Sequence, residues 1–131
     1  MKKIFFILAL ICLPTASLLA QKESSDVRHG NQQYHKEQYV KAETDYRRGL
    51  DKNNGSFEAH YNLGDALFKQ EKYEDALHEF LAADSLLTNK DSDRKRRSAT
   101  AHNIGNSLFA MQDYGNAVEA YKRSLRDNPK D

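Results

Sequence analysis

The sequence predicts an all-α protein: a right-handed α-solenoid of three helix-turn-helix units, preceded by an N-terminal signal peptide. Three observations predict it. An internal repeat of 34 residues runs through the chain, apolar residues recur at helical spacing inside each repeat, and the first 20 residues differ sharply in composition from the rest. Fifteen of those 20 residues are apolar, against 36 of the following 111. Together with a mean hydropathy of −0.84, this is too little for one thick core and suits a thin layered repeat. All seven tyrosines fall in the polar part, which argues against disorder. Lys+Arg is 20 and Asp+Glu is 19, a net charge of +1. That balance lacks the basic stripe that nucleic-acid binding requires.

Residues 1–20 have the three-part layout of a signal peptide. Lys2 and Lys3 form a positive start, and Ile4 to Leu13 form an unbroken apolar run that Pro14 ends. Ala16, Ser17 and Ala20 supply small residues before a cut between Ala20 and Gln21, although Leu18 is larger than ideal. The run is about ten residues, short of the ~20 that span a bilayer. Ile11 before Cys12 argues against lipid attachment, and without Cys12 the mature domain 21–131 holds no cysteine, hence no disulfide or thiolate metal site. The expected location is the periplasm, with membrane association only if the signal stays uncleaved.

The repeat aligns Gly30, Gly64 and Gly105 in steps of 34 and 41 residues. The same steps relate Tyr39, Tyr73 and Tyr114; Ala42, Ala76 and Ala117; and Tyr46, Phe80 and Tyr121. The units are 23–56, 57–90 and 98–131, with residues 91–97 inserted. In the second unit Leu63-Gly64, Phe68, Tyr73, Ala76, Phe80 and Ala83 match the tetratricopeptide pattern, and the third matches nearly as well and ends on Pro129. The chain therefore resembles the tetratricopeptide repeat family over 109 residues. The first unit departs from the pattern at His29 and Asn54.

Each unit contains two helical patterns of about a dozen residues, too short to be stable alone. Leu63, Ala66 and Leu67 share one face of the first helix of unit two; Ala76, Leu77, Phe80 and Ala83 share one face of its second. Gly64 and Ala76 are expected where these helices cross, and Tyr73 is expected to pack back onto the first. The insert, Asp91 to Arg97, is ~1.9 turns of helix. It is expected to add two turns to the fifth helix and project past the stack, with Asp91, Ser92 and Asp93 capping its start. The basic cluster Arg94–Arg97, next to Asp91 and Asp93, is expected to be a solvated face rather than a nucleic-acid or lipid patch.

No phosphate loop, GxSxG or HExxH motif is present. The five histidines are scattered; His60 and His102 lie on first helices of adjacent units and are a weak basis for a metal. The expectation is a non-enzyme with no cofactor. The informative surface is the concave groove lined by the first helices. Its expected partner-binding residues are Asn31, Tyr34, Tyr61, Asn62, Asp65, Phe68, Lys69, Asn103, Asn106 and Phe109, with Val27, Glu58 and His102 also facing inward. Amides suit the backbone of an extended peptide, and aromatic rings suit its side chains. At the open end, the sixth helix is expected to expose Ala117, Val118, Tyr121 and Leu125, to be covered by another chain, by a second copy or by further sequence of a longer protein.

The resemblance also bears on the ligand. Members of the family that bind chaperone tails clamp a terminal carboxylate with two asparagines and several cations. Asn31 and Asn62 match the asparagines, but Val27, Ala99 and Asn103 occupy the cationic positions. An EEVD-type tail is therefore not expected. The export signal, repeat layout and NPKD ending also resemble the repeat-bearing members of the bacterial aerotolerance (Bat) operon. That resemblance implies a scaffold in envelope complex assembly, with a membrane-tethered von Willebrand A-type protein as partner. The alternative is a self-associating structural protein anchored to the inner membrane by its uncleaved signal.

Overall fold

The computed structural model describes residues 14–128, with side chains from Ser25 onward. The charged start and apolar run of the expected signal peptide lie outside these residues, as do Cys12 and Pro129–Asp131. Six helices follow one another: α1 (Pro14–His35), α2 (Tyr39–Lys52), α3 (Phe57–Lys69), α4 (Tyr73–Ser85), α5 (Arg94–Ala110) and α6 (Tyr114–Asp127). Among the described residues there is no strand. Each helix packs chiefly on the next in the chain, and α1 also touches α3. The result is the right-handed solenoid of three helix pairs expected from the repeat. Helix α1 begins well before the expected start of unit one at residue 23 and runs through the expected cleavage point.

The three turns inside the units are built alike. Glu37, Glu71 and Gln112 adopt left-handed backbone, with φ of 58°, 60° and 65°. Each sits just past a first helix, and the next N–H reaches back five residues: Gln38 to Gln33, Lys72 to Leu67 and Asp113 to Leu108, at 2.9, 3.0 and 2.9 Å. These are Schellman caps, which satisfy carbonyls left over at a helix end. An aromatic pair staples each turn edge to face: Tyr34–Tyr39, Phe68–Tyr73 and Phe109–Tyr114, with ring centres 5.2, 5.1 and 5.2 Å apart. Tyr73 thus packs back onto the first helix of its unit, as the sequence led us to expect. At the start of α3, the Ser56 hydroxyl accepts from the Ala59 N–H at 3.2 Å.

Inside each pair a glycine admits the ring of the second helix. A Cβ added at Gly30, Gly64 or Gly105 would lie 2.6, 2.6 or 2.5 Å from Tyr46, Phe80 or Tyr121 respectively. No carbon can sit that close, so these positions require glycine. The core is a thin layer of Val27, Ala42, Tyr46, Leu63, Leu67, Ala76, Phe80 and Ile104, with other alanines. The third pair adds polar contacts to its buried Ala101, Ile104 and Ala117. Ser98 and Ser124 each donate a hydroxyl to the other's carbonyl, at 3.0 and 2.8 Å. Thr100 and Ser107, both fully buried, bond back to the carbonyls of Arg96 and Asn103.

Several expectations are corrected here. The insert forms a 3-10 turn over Asp91–Asp93 and adds only about one turn to α5. It does not project: the Arg97 guanidinium folds back, donating to the carbonyls of Thr88 and Lys90 at 2.5 and 2.8 Å and to the Asp127 carboxylate at 3.1 Å. Arg94 donates to the Asp127 carbonyl, and Arg96 lies 5.1 Å over the Phe57 ring. Arg94, Lys95 and Arg96 are exposed, as expected of a solvated face, while Arg97 is half-buried and structural. Asp93 accepts from the backbone and hydroxyl of Thr88, at 2.8 Å each, and so caps the preceding loop instead of α5. Val27 is 5% exposed and belongs to the core, not to the groove. Ala117 is 1% exposed and lies in the α5–α6 interface, while the Tyr121 ring covers Gly105; of the four open-end residues, Val118 and Leu125 are the ones left half exposed, at 48% and 50%.

Candidate functional site

The site is a row of polar side chains crossing the first helices α1, α3 and α5. Its construction follows two spacings. Within a unit, the residue just after the repeat glycine faces the ring of the second helix, 15 residues later. The Tyr46 hydroxyl donates to Asn31 Oδ1 at 2.7 Å, and the Tyr121 hydroxyl donates to Asn106 Oδ1, also at 2.7 Å. Between units, a second amide reaches back to that same position of the preceding helix. Asn62 Nδ2 donates to Asn31 Oδ1 at 3.0 Å, and Asn103 Nδ2 donates to Asp65 Oδ1 at 3.1 Å and to the Tyr61 hydroxyl at 3.0 Å. The asparagines therefore tie the units together before any partner arrives.

The structure brings Asn31, Tyr61, Asn62, Asp65 and Asn103 into one connected row, with Tyr34 close enough to feel the Asp65 charge. Asn106 is drawn instead toward α6 by Tyr121. Phe68 and Phe109, equivalent to Tyr34, sit in the turn staples, and Lys69 is exposed one turn beyond Asp65. Residues 31, 65 and 106 are equivalent, and so are 46, 80 and 121. In the middle unit the pair is Asp65 and Phe80, so the tyrosine hydroxyl found in the outer units has no counterpart there. The repeated 15-residue spacing between asparagine and tyrosine was the signal that could have revealed these bonds in the sequence.

Burial pushes the Asp65 carboxyl up to about 6, against the pull of Lys69. Among the described residues Asp65 makes no ion pair, and Asn103 supplies its one hydrogen bond. Burial, then the Asp65 charge, raises the phenols of Tyr34, Tyr46 and Tyr61, that of Tyr61 to about 12. These hydroxyls stay protonated near neutrality and remain donors. Tyr61 also stacks on Phe57 and meets Phe80 edge to face, with ring centres 5.5 and 5.7 Å away. The row opens into a cleft of about 850 Å³ against the last helix pair, lined by Tyr61, Lys95, His102, Asn103, Tyr121 and Leu125 among others.

Both ring nitrogens of His60 are engaged, with Glu79 at 2.7 Å and the Asn54 carbonyl at 2.8 Å, and His102 lies against Tyr121. His29, which replaces the usual leucine of the repeat, is held by Asp45 at 2.7 Å. Among the described residues no three His, Cys, Asp or Glu side chains gather as metal ligands, and no helix is long and apolar enough to cross a membrane.

Several solved structures share the fold. The first tetratricopeptide domain of Spaghetti (RPAP3), bound to the HSP90 peptide SRMEEVD, superimposes with a TM-score of 0.76 at 23% identity, covering 85% of this chain and 82% of that one. The N-terminal domain of stress-induced protein-1 from C. elegans gives 0.76 at 18% identity, over 84% and 87%. The Arabidopsis OM64 domain gives 0.77 at 16%, over 86% and 88%. No curated protein sequence compared with the chain matches it. The tetratricopeptide repeat description matches residues 55–128, more than half of the sequence. With three equivalent Schellman turns, glycine–ring contacts and aromatic staples already visible in the structure, the chain belongs to the tetratricopeptide repeat family.

Proposed function

We propose that the chain is an exported protein-interaction scaffold that holds a segment of a partner protein along the row crossing α1, α3 and α5. One observation carries this reading. Polar groups from three separate helices line up across the unit boundaries, and they keep valences that the fold does not use. Asn31 Nδ2 and Asn62 Oδ1 take no hydrogen bond among the described residues, and neither does Asp65 Oδ2. Open donors and acceptors at such spacing suit an extended backbone, and Tyr34 and Tyr61 offer ring faces beside them. The fold shared with a domain that holds the HSP90 peptide supports the same use. That peptide's acidic tail is not the expected ligand here, because Val27, Ala99 and Asn103 bring no cation.

The finer reading places the scaffold in the periplasm after signal cleavage. There it would assist envelope complex assembly or aerotolerance with a membrane-tethered von Willebrand A-type partner; the signal layout and the NPKD ending support it. A second reading is self-association through the last helix, favoured by the half-exposed Val118 and Leu125, of which Leu125 also lines the 850 Å³ cleft. Pull-downs from envelope extracts with the wild-type chain and with Asn62→Ala plus Asn103→Ala as baits separate the two. A partner lost with the double variant belongs to the groove. A partner retained by it and lost with Leu125→Lys moves the site to α6. Intact mass of the native protein tests export: Gln21, free or cyclised, is expected at its N-terminus, and Met1 would support the anchored form.

A further inference from the structure

Asp65 is the one position of the row that packing does not explain. In the outer units the equivalent asparagines each receive a tyrosine hydroxyl at 2.7 Å. In the middle unit the facing ring is Phe80, which donates nothing, and the residue itself carries a charge. Asn103 gives Asp65 a single hydrogen bond, and that amide is shared with Tyr61. A partly buried carboxylate without an ion-pair partner is costly, and the exposed Lys69 and the one hydrogen bond from Asn103 offset this only in part. An incoming cation would offset the rest.

The surroundings select the kind of cation. From α1, Tyr34 faces Asp65; from α2, Tyr46; from α3 itself, Tyr61 and Lys69; from α5, Asn103. Lys69 is the only positive charge among these, and it is exposed and forms no ion pair with Asp65. One carboxylate and neutral amides are too few ligands for a divalent metal, which takes several oxygen ligands and usually more than one carboxylate. Neutral phenols and a short amide row instead fit a long aliphatic stem ending in one positive group. Such a stem packs on rings while its head meets the carboxylate.

The geometry points to an extended peptide that delivers a lysine or arginine side chain to Asp65. This rests on the groove reading above and adds the polarity of the partner: a basic segment, the opposite of an acidic tail. The partner is then recognised by a buried ion pair formed only in the complex.

The test is selection of a phage-displayed random dodecapeptide library on the full 131-residue chain, followed by fluorescence anisotropy of the selected peptides. A lysine or arginine at one fixed position among the selected sequences is expected. Replacing it with methionine should weaken binding at least tenfold to the wild type and less than twofold to Asp65→Asn. Asparagine already occupies the equivalent positions 31 and 106, so the variant is compatible with the fold, and far-UV circular dichroism checks this. Selected peptides without a shared basic position, or with acidic C-termini, would overturn the inference and leave the groove reading standing. Equal losses in wild type and variant would also overturn it. Failure to select any peptide would refute the groove reading, and this inference with it.

Discussion

Asp65 makes a stability prediction that needs no ligand. An unfolded aspartate titrates near 3.8, and in the fold burial raises the group to about 6. Between those values the native state binds a proton that the unfolded state does not. Unfolding free energy therefore falls as pH rises from about 4 to about 6, and levels off above that. Two pH units at ~1.4 kcal/mol each set an upper bound of about 3 kcal/mol. Solvent reaching the groove reduces this, so a difference of roughly 1–2 kcal/mol is expected at pH 7. Asp65→Asn removes the charge but keeps an oxygen for Asn103. The variant should be more stable than the wild type by that amount at pH 7 and nearly equal to it at pH 4. Urea unfolding followed by circular dichroism, at steps between pH 4 and 8, measures both. The other carboxylates and the histidines are common to the two proteins and cancel in the difference. A variant that is less stable at pH 7, or a gap that does not close as pH falls, would refute the reasoning.

Three further expectations follow from the packing. Gly64→Leu would drive a side chain into the fully buried Phe80 ring, where even a Cβ lies at 2.6 Å; net destabilisation of ~2 kcal/mol or more is expected after a helix-propensity gain of ~1, and unchanged thermal unfolding would count against it. Arg97→Ala releases the α4–α5 loop and the end of α6 together, a loss of ~2–3 kcal/mol for hydrogen bonds made by a charged group; hydrogen exchange should rise first at residues 86–90 and 120–127, and uniform protection would contradict it. Phe80→Tyr supplies the hydroxyl that the outer units possess; it should donate to Asp65 and lower that carboxyl from about 6 toward the ordinary range, read by NMR titration of the Asp65 side chain.

Periodicity made the fold legible because it reports which face of each helix meets the core. The glycines announced their rings in this way, and Tyr73 announced its staple. It carries less about polar groups, whose partners lie on other helices. The amide of Asn62 looks equally available in the sequence whether it faces solvent or Asn31, 31 residues earlier. Arg97 read as one of a run of surface charges, because its acceptors, Thr88, Lys90 and Asp127, come from segments with no periodic signature. Ala117 follows the apolar stripe, which by itself points to the open face, yet it is 1% exposed against α5. In so slim a helix pair that stripe is wide enough to serve the partner helix as well as the stack.

The three units act as controls for one another, and this is what isolates the middle of the groove. Units one and three solve the same local problem identically: asparagine after the glycine, tyrosine on the second helix, one short hydrogen bond between them. Unit two changes both members. An aspartate facing a tyrosine would have kept a donor, and an asparagine facing phenylalanine would have carried no charge. Changing both gives a carboxylate that has lost a donor and sits where burial opposes its ionisation. Packing gains nothing from this, since Phe80 fills the same space over Gly64 that Tyr46 fills over Gly30. Folding alone would favour either neighbouring unit's solution. The stability given up at Asp65 is recovered only when something positive occupies the groove, and that condition ties the central unit's departure from the repeat to binding.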